Sequence, residues 1–303
     1  MKQNFEESLY TVIKKEKVRK AEPMKMHTTF RIGGPADYFV VPDTEKEIAE
    51  VVKLCGKYEV PYYIVGNGSN LLVGDKGFRG VIIQLFKSMS RMQREGEEIT
   101  AQAGCSLAQI ANAALEAGLT GFEFAAGIPG TLGGAVVMNA GAYGGEMRDV
   151  LVSAKVLTKE GEIITLSNQE LELGYRHSVI PEKEYVVLEA VIRLKNGDKT
   201  NIKARMDELR ERRVSKQPLE YPSAGSTFKR PEGYFAGKLI QDAGMRGFTV
   251  GGAQVSEKHS GFVINTGDAT AADVQELIRQ VTDKIKKDTG VEMEPEVKRI
   301  GEF

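Results

Sequence analysis

The feature that most constrains this chain is a glycine-dense run over residues 121–145, GFEFAAGIPGTLGGAVVMNAGAYGG. Eight of its 25 residues are glycine, and its single charged residue is Glu123. So little charge indicates burial, yet this much glycine destabilises a regular helix or strand. The backbone must therefore adopt positive φ or approach another group closely. Backbone N–H groups without Cβ atoms can cradle a pyrophosphate, and tight turns between buried strands explain the run equally well.

The overall composition narrows the class of protein. A chain of 303 residues suffices for two or three domains with their own cores. The net charge of −1 gives no broad basic surface for nucleic acid or membrane, and no run has the length of a membrane span. Cys55 and Cys105 are the only cysteines, which fits a reducing compartment without a disulfide framework. The N-terminus lacks the apolar core of a signal peptide, so we expect a cytoplasmic protein.

The N-terminal part of the chain predicts an α/β start to the fold. A charged surface helix is expected over residues 1–20, and a short strand over residues 38–42. Thr44 and Glu47 have the capping-box pattern and open a helix, and residues 62–65 form a buried strand. This strand runs directly into a glycine loop, so strand, helix, strand and loop follow one another as in a βαβ unit.

That loop resembles a dinucleotide fingerprint but does not match it. Gly66 and Gly68 fit G-x-G-x-x-G, whereas the sixth position is Leu71 and a strand-like segment follows instead of a helix. This pattern argues against a Rossmann cofactor site. The loop can still present N–H groups and the side chains of Ser69 and Asn70 to a phosphate, and Asn-Gly is equally typical of a plain turn.

The middle of the chain predicts an α+β region with antiparallel hairpins. A small-residue helix is expected to begin after Ser106 and to close at Gly118. The expected strands cover residues 81–85, 99–103, 150–157, 163–166 and 186–194.

A break around residues 195–199 separates the last part of the chain. The expected elements are a helix around residues 202–209, a linker at 216–222, a helix at 235–242, strands at 248–250 and 261–265, a helix opened by Thr270, and a strand at 293–297.

Several common sites are excluded by their spacing. His27, His177 and His259 are scattered and, with the two cysteines, give no metal-ligand pattern. Residues 233–239 imitate a P-loop but are one residue short and lack the Ser or Thr that holds magnesium. No G-x-S-x-G nucleophile elbow is present.

Three polar residues stand out by their context. Arg176 follows Tyr175 at the end of the middle region, Ser226 lies in an expected tight turn, and Glu296 follows Pro295 in the expected C-terminal strand. On residue type alone, the simpler interpretations are a surface arginine, a turn serine and a surface glutamate.

An ordered set of short motifs changes this interpretation. The motifs are TFRIGGPA at 29–36, GNGSNLL at 66–72, GIPG at 127–130, NAGAYG at 139–144, YR at 175–176, AGSTF at 224–228, GGA at 251–253 and PEV at 295–297. Each is weak alone, but together and in this order they resemble the UDP-N-acetylenolpyruvoylglucosamine reductase family, FAD enzymes of peptidoglycan synthesis.

The resemblance implies a fold class and a division into domains. The class is α+β, with a two-part FAD-binding region of the vanillyl-alcohol-oxidase (PCMH-type) superfamily and a C-terminal α+β substrate domain. The implied domains are residues 1–85 and 86–197 for the two parts that bind FAD, and residues 198–303 for substrate. The two glycine loops would then hold the flavin pyrophosphate in place of a Rossmann fingerprint.

The resemblance also implies a reaction and its catalytic residues. NADPH would reduce FAD, and hydride would pass to the enolpyruvyl double bond of a UDP-sugar, giving UDP-N-acetylmuramate. Family matching gives Ser226 the role of proton donor to the carbon next to the carboxylate. Arg176 and Glu296 would stabilise the charge that develops on the enolate-like species. Lys229 is a candidate neighbour that assists the weakly acidic serine.

The residues implied in binding fall into two sets. The FAD-binding set is Gly66, Asn67, Gly68, Ser69, Asn70, Leu71, Gly127, Ile128, Pro129, Gly130, Gly133, Gly134, Asn139, Gly141 and Ala142. The substrate-binding set is Tyr143, Tyr175, Lys216, Lys229 and Arg230. No metal is expected, and neither is a nucleic-acid or membrane partner; the chain is expected to be a monomer that binds a small molecule.

One departure and two alternatives accompany this assignment. A longer form of the family carries an extra substrate-covering loop with a tyrosine, which this chain has no room for, so it resembles the shorter form. The alternatives are another FAD oxidoreductase of the same superfamily and a non-catalytic protein that binds a nucleotide-sugar or flavin. Covalent flavin attachment is common in that superfamily through histidine, and the two glycine loops contain none.

Overall fold

The computed structural model describes residues 2–303 of the chain. These residues divide into two compact units. The first unit comprises residues 2–20, 38–67 and 80–212, and the second comprises residues 21–37, 68–79 and 213–303. The division into residues 1–85, 86–197 and 198–303 stays a prediction.

The α-helices are α1 Lys2–Val12, α2 Glu45–Lys57, α3 Leu107–Ala117, α4 Leu132–Met138, α5 Val179–Glu182, α6 Lys199–Lys216, α7 Ala236–Asp242 and α8 Ala271–Thr289.

The strands are β1 Val18–Pro23, β2 Pro35–Val40, β3 Tyr62–Val65, β4 Leu71–Val73, β5 Phe78–Gln84, β6 Met92–Glu95, β7 Glu98–Gln102, β8 Leu119–Thr120, β9 Gly141–Ala142, β10 Gly145–Glu146, β11 Leu151–Leu157, β12 Ile163–Ser167, β13 Val186–Arg193, β14 Lys195–Asn196, β15 Ser223–Ser226, β16 Thr249–Val250, β17 Ala253–Val255, β18 Phe262–Asn265 and β19 Lys298–Ile300.

The first unit is built on an antiparallel sheet with the strand order β12-β11-β13-β7-β6. A second sheet has the order β1-β2-β5-β3, and in it β3 runs parallel to β5. The helix α2 begins at Thr44, whose side chain accepts a hydrogen bond from Glu47 N, and its Ile48, Val51 and Cys55 are buried. The predicted N-cap and apolar face of this helix are confirmed.

The second unit has its own sheet and its own core. Its strands follow the order β15-β18-β17-β16, and β19 pairs in parallel with β4. Thr270 and Asp273 form the capping box of α8, and its buried face includes Val274, Leu277 and Val281. The predicted final helix is confirmed. The Asp75 carboxylate accepts hydrogen bonds from the first backbone N–H groups of α8, which adds a second cap.

Four local predictions were wrong. The N-terminal helix ends at Val12, and Val18 already begins a strand. Residues 132–138 in the glycine-dense run form α4, where turns or loops were expected. Ser226 ends a strand instead of lying in a tight turn, and the C-terminal strand starts at Lys298, after the predicted segment.

Candidate active site

The two predicted glycine loops lie against each other in the first unit. The side-chain amide of Asn67 donates a hydrogen bond to the carbonyl of Pro129 at 2.7 Å. A Cβ atom on Gly66 would lie 2.2 Å from Thr131 Oγ1, so any larger residue at position 66 would push the loops apart. The proximity of these loops is thus part of the packing of the unit.

The second loop is anchored to the strand and helix beneath it. Gly133 N donates to Ala103 O at 2.9 Å, and a Cβ on Gly133 would lie 2.9 Å from the Cβ of Ala103. Gly130 O accepts from Leu107 N at 3.1 Å. The glycine at position 133 therefore allows α4 to pack closely on its neighbour, which explains how a glycine-rich segment forms a helix.

Gly134 has no such explanation within the protein. It lies in the first turn of α4, it is exposed, and a Cβ there would meet only Thr131 Oγ1 at 3.8 Å. Glycine inside a helix costs about 0.5–1 kcal/mol relative to alanine, and the open space at this position leaves the backbone accessible to an external group. Exposed backbone at a helix start between two glycine loops fits a pyrophosphate, because N–H groups there can reach the anion without side chains in the way.

The rest of the predicted FAD set is divided between the two units. Ile128 is half-buried in the second loop, and Gly127 is exposed. In the second unit, a Cβ on Gly68 would lie 2.1 Å from His27 O, so this position also requires glycine. Ser69 is half-buried, and Leu71 begins β4 and is buried.

Residues 139–146 fold into a small hairpin directly after α4. Gly141 and Ala142 pair with Glu146 and Gly145. Tyr143 stands at the turn with φ +54°, and its side chain is 40% exposed. An exposed ring held in this strained turn is suitable for contact with a ligand.

The side chain of Asn139 is completely buried at the start of this hairpin. Its Nδ2 donates to Glu146 Oε2 and to Gly174 O, each at 3.0 Å, and its Oδ1 accepts from Arg148 N at 2.8 Å. The amide is therefore directed at protein groups, and a contact of Asn139 with FAD would have to use its backbone.

Arg176 lies in a tight turn in the first unit. Gly174 and His177 exchange two backbone hydrogen bonds of 3.2 Å across the turn. Arg176 has φ +54°, and its guanidinium lies 5.2 Å from the centre of the Tyr175 ring. The arginine is half-buried and the tyrosine is 53% exposed, so both can face a ligand.

Ser226 and Glu296 lie on neighbouring segments of the second unit. Glu296 N donates to Thr227 O at 2.7 Å, and Phe228 forms an antiparallel bridge with Pro295. The strand β15 carries an irregularity between Ser223 and Ser226, with Gly225 at φ +75°. A bulge at this point of a strand changes the direction of the side chain beside it, here that of Ser226, and bulges are common near active sites.

Two of the three cations in the predicted substrate-binding set already have partners in the protein. Lys229 forms an ion pair of 2.6 Å with Glu294, and the Arg230 guanidinium lies 4.0 Å from the centre of the Phe235 ring. Lys216 ends α6 and is exposed.

Burial perturbs the pKa values of two cysteines and one histidine. Burial raises the pKa of Cys55 to about 12 and also raises the pKa of Cys105, which disfavours the reactive thiolate form of both buried cysteines. Burial lowers the pKa of His259, and the nearby charge of Lys216 lowers it further. The imidazole accepts a hydrogen bond at Nδ1 from Gly261 N at 3.1 Å, which holds it in the fold.

The structure of residues 2–303 contains no group of three or more His, Cys, Asp or Glu that could hold a metal ion. Within the same residues, no helix combines the length and apolarity that a membrane crossing needs.

The structure thus brings together two sets of predicted residues, one in each unit. Gly66 and Asn67 contact the second loop in the first unit, and Thr227, next to Ser226, hydrogen-bonds with Glu296 in the second. The grouping of Arg176 with Ser226 and Glu296 stays a prediction. The sequence analysis did not identify Thr131 as part of this site. Its position between the GIPG motif and Gly133 could have indicated that it belongs there.

Comparisons with known proteins identify the general class of protein to which this chain belongs. Residues 36–167 match a family model described as an FAD binding domain. The chain shares its fold with 4-ethylphenol oxidase from Gulosibacter chungangensis, with a TM-score of 0.51 and 14% identity over 97% of this chain and 64% of that one. The predicted α+β fold with an FAD-binding region is confirmed, and the class is that of FAD-binding proteins.

The C-terminal match and the relatives define the family. Residues 217–300 match the model of the UDP-N-acetylenolpyruvoylglucosamine reductase C-terminal domain. The enzyme of that name from Agathobacter rectalis is 56% identical over the whole of both chains. The crystal structure of the Thermus caldophilus enzyme has a TM-score of 0.81 and 36% identity over 93% of this chain and 99% of that one. The chain belongs to the UDP-N-acetylenolpyruvoylglucosamine reductase family, as the motifs predicted.

Proposed function

We propose that this chain reduces UDP-N-acetyl-3-O-enolpyruvylglucosamine to UDP-N-acetylmuramate, with Arg176, Ser226 and Glu296 as its catalytic residues. The reaction belongs to peptidoglycan synthesis and uses FAD with NADPH as reductant. FAD, when bound, supplies the transfer of hydride from NADPH to the enolpyruvyl double bond.

The observation that carries the catalytic assignment is the pairing of the Ser226 and Glu296 segments in the second unit. Glu296 N reaches Thr227 O at 2.7 Å, which fixes the backbone next to both side chains. The Ser226 hydroxyl would donate the proton to the carbon next to the substrate carboxylate, and its oxygen would take up a proton from solvent afterwards. The lysine expected to assist it, Lys229, is paired with Glu294, so its charge is partly compensated.

The other two residues would act on the charge that develops next to this carbon. The guanidinium of Arg176 would bind the substrate carboxylate, and Glu296 would act there as an acid. Preorganised donors of this kind contribute about 2.7–4 kcal/mol each to transition-state stabilisation. The stacking of Arg176 on Tyr175 limits the motion of the guanidinium, which favours such preorganisation.

The remaining binding residues support the same proposal. The backbone around Gly66, Asn67 and Gly134 would hold the flavin pyrophosphate. Tyr143, Tyr175, Lys216 and Arg230 would contact the nucleotide-sugar, and Lys229 would do so if its pairing with Glu294 is exchanged. We further propose that the chain is a monomer. The net charge of −1 and the two free, buried cysteines support a cytoplasmic location without nucleic-acid or membrane partners.

The substitution Ser226→Ala tests the proposal. Anaerobic stopped-flow absorbance would follow FAD reduction by NADPH and then flavin reoxidation by the enolpyruvyl substrate. We expect an unchanged first rate and a second rate that falls about 10²–10⁴-fold, the usual contribution of a positioned acid.

Ser223→Ala, on the same strand β15, is the matched control and should change neither rate. An unchanged reoxidation rate in Ser226→Ala would remove this serine from the mechanism. A protein that binds FAD but is not reoxidised by the substrate even as wild type would instead be a binding protein or another oxidoreductase.

A further inference from the structure

The turn that carries Arg176 is strained. It is closed by the two backbone hydrogen bonds between Gly174 and His177, and Arg176 takes the positive φ of +54° inside it. Non-glycine residues are strained in this conformation and persist in it only where the surroundings fix them. Something outside the turn must therefore hold it.

Asn139 fixes the N-terminal end of the turn. Its side chain is 0% exposed, and its Nδ2 donates to Gly174 O at 3.0 Å. The orientation of the amide is determined, because Arg148 N can only donate and Gly174 O can only accept. The second Nδ2 hydrogen bond goes to Glu146, whose carboxylate also pairs with Arg148. Every polar atom of this side chain is thus engaged.

Ser178 fixes the C-terminal end of the turn. Its side chain is 1% exposed, and its Oγ donates to Val137 O at 2.7 Å. Val137 lies in the last turn of α4, and Asn139 immediately follows that helix. Both ends of the Arg176 turn are therefore attached to the C-terminal end of α4 by side-chain hydrogen bonds.

A simple capping role does not account for Asn139. The residue ends α4 in the left-handed conformation, with φ 43° and ψ 56°, which glycine adopts without strain. The three side-chain hydrogen bonds go to Gly174, Glu146 and Arg148, all outside the helix. The amide is therefore more than a helix terminator.

We propose that Asn139 and Ser178 are positioning residues that hold Arg176 in place for catalysis. They link the Arg176 turn to α4, whose first turn contains Gly134. The position of the guanidinium is thereby fixed relative to the backbone that is expected to hold the flavin. The catalytic consequence rests on the proposed function; the attachment of the turn does not.

Limited trypsin digestion tests the attachment without any cofactor. We would measure cleavage after Arg176 by mass spectrometry, relative to cleavage after the exposed Arg94 in the same protein. Cleavage after Arg176 should rise about tenfold in Asn139→Gly and in Ser178→Ala, because local opening governs proteolysis. Asn139→Gly keeps the left-handed backbone, so this change isolates the side chain.

Thr158→Val is the matched control. Thr158 also has a buried hydroxyl in the first unit, but this hydroxyl accepts a hydrogen bond from Glu162 N in a different turn. It should leave the cleavage ratio unchanged. An unchanged ratio in both Asn139→Gly and Ser178→Ala would overturn the proposed attachment.

A double-mutant cycle with Arg176→Ala tests the catalytic consequence. Each positioning variant should retain FAD and NADPH oxidation but slow flavin reoxidation by substrate about ten- to hundredfold, as misplaced catalytic groups do. In the Arg176→Ala background, the same substitutions should cause no further slowing.

The outcomes of the cycle are distinguishable. Full additional slowing in the Arg176→Ala background would overturn the positioning role. An Arg176→Ala enzyme with the wild-type rate would contradict the proposed function instead, and the trypsin result would still decide the attachment.

Discussion

The two units hold their predicted catalytic residues by different means. In the first unit, the Arg176 turn is attached through two buried side chains, Asn139 and Ser178. In the second, the Ser226 and Glu296 segments are joined by backbone hydrogen bonds, including the 2.7 Å bond from Glu296 N to Thr227 O. A side-chain attachment can be removed by one substitution, whereas backbone pairing survives most substitutions. The two halves should therefore differ in their response to mutation.

Backbone conformation should be the sensitive point of the second unit. Gly225 has φ +75°, and a Cβ there would meet nothing within 4 Å, so glycine is needed for conformation and not for space. Gly225→Val should abolish the bulge and displace Ser226. We expect flavin reoxidation by substrate to fall about 10²-fold, with FAD content unchanged.

Stopped-flow kinetics with the matched Gly244→Val variant would check this. Gly244 also has positive φ and open space, but it follows α7. Equal losses in both variants would indicate general destabilisation and contradict the specific role of the bulge.

Side-chain removal should matter less in the second unit than in the first. Asn70 Nδ2 donates to Glu296 O at 3.2 Å, but Lys298 N also donates to Asn70 O at 2.9 Å, and this backbone bond remains after truncation. Asn70→Ala should therefore slow reoxidation only about two- to fivefold, the loss of a hydrogen bond worth roughly 0.5–1 kcal/mol.

Stopped-flow kinetics would measure flavin reoxidation by substrate in Asn70→Ala and, for comparison, in Asn139→Gly. A larger effect of Asn70→Ala than of Asn139→Gly would contradict the difference between the units. Loss of FAD in Asn70→Ala would show that this side chain serves the cofactor.

The smallest expected effect concerns stability in the first unit. Gly134→Ala should stabilise the FAD-free protein by about 0.5–1 kcal/mol, because alanine favours the helix and a Cβ meets only Thr131 Oγ1 at 3.8 Å. The same methyl group should weaken FAD binding if the cofactor approaches this backbone.

Thermal unfolding without FAD and a fluorescence titration with FAD would measure the two effects. Gly133→Ala is the contrasting variant, since its Cβ would lie 2.9 Å from the Cβ of Ala103 and should destabilise the fold. Gly134→Ala with unchanged FAD affinity would contradict the proposed cradle.

Local signals predicted the helices that begin at clear caps. Thr44, Ser106 and Thr270 each accept a hydrogen bond from the residue three positions on, and α2, α3 and α8 begin there as expected. These interactions lie within one turn of helix, so the sequence contains them completely.

Three of the four errors came from interactions between distant segments. β15 forms because it pairs with β18, and β19 forms because it pairs with β4, more than 200 residues earlier. The helix α4 tolerates Gly133 because that glycine packs on Ala103. Tertiary packing overrode local propensity in each case.

The site was predictable only through the family resemblance. Composition and spacing left the glycine-dense run open between a cofactor cradle and plain turns. The role of Asn139 was not visible either, because the partners of its amide lie 7, 9 and 35 residues away in the sequence.

The measurement that tests the central claim most directly is the visible absorption spectrum of the purified protein during anaerobic titration. We predict a bound-flavin spectrum that bleaches with NADPH and returns on addition of the UDP-enolpyruvyl sugar. A colourless protein that cannot take up FAD, or a flavin that the sugar cannot reoxidise, would contradict the account.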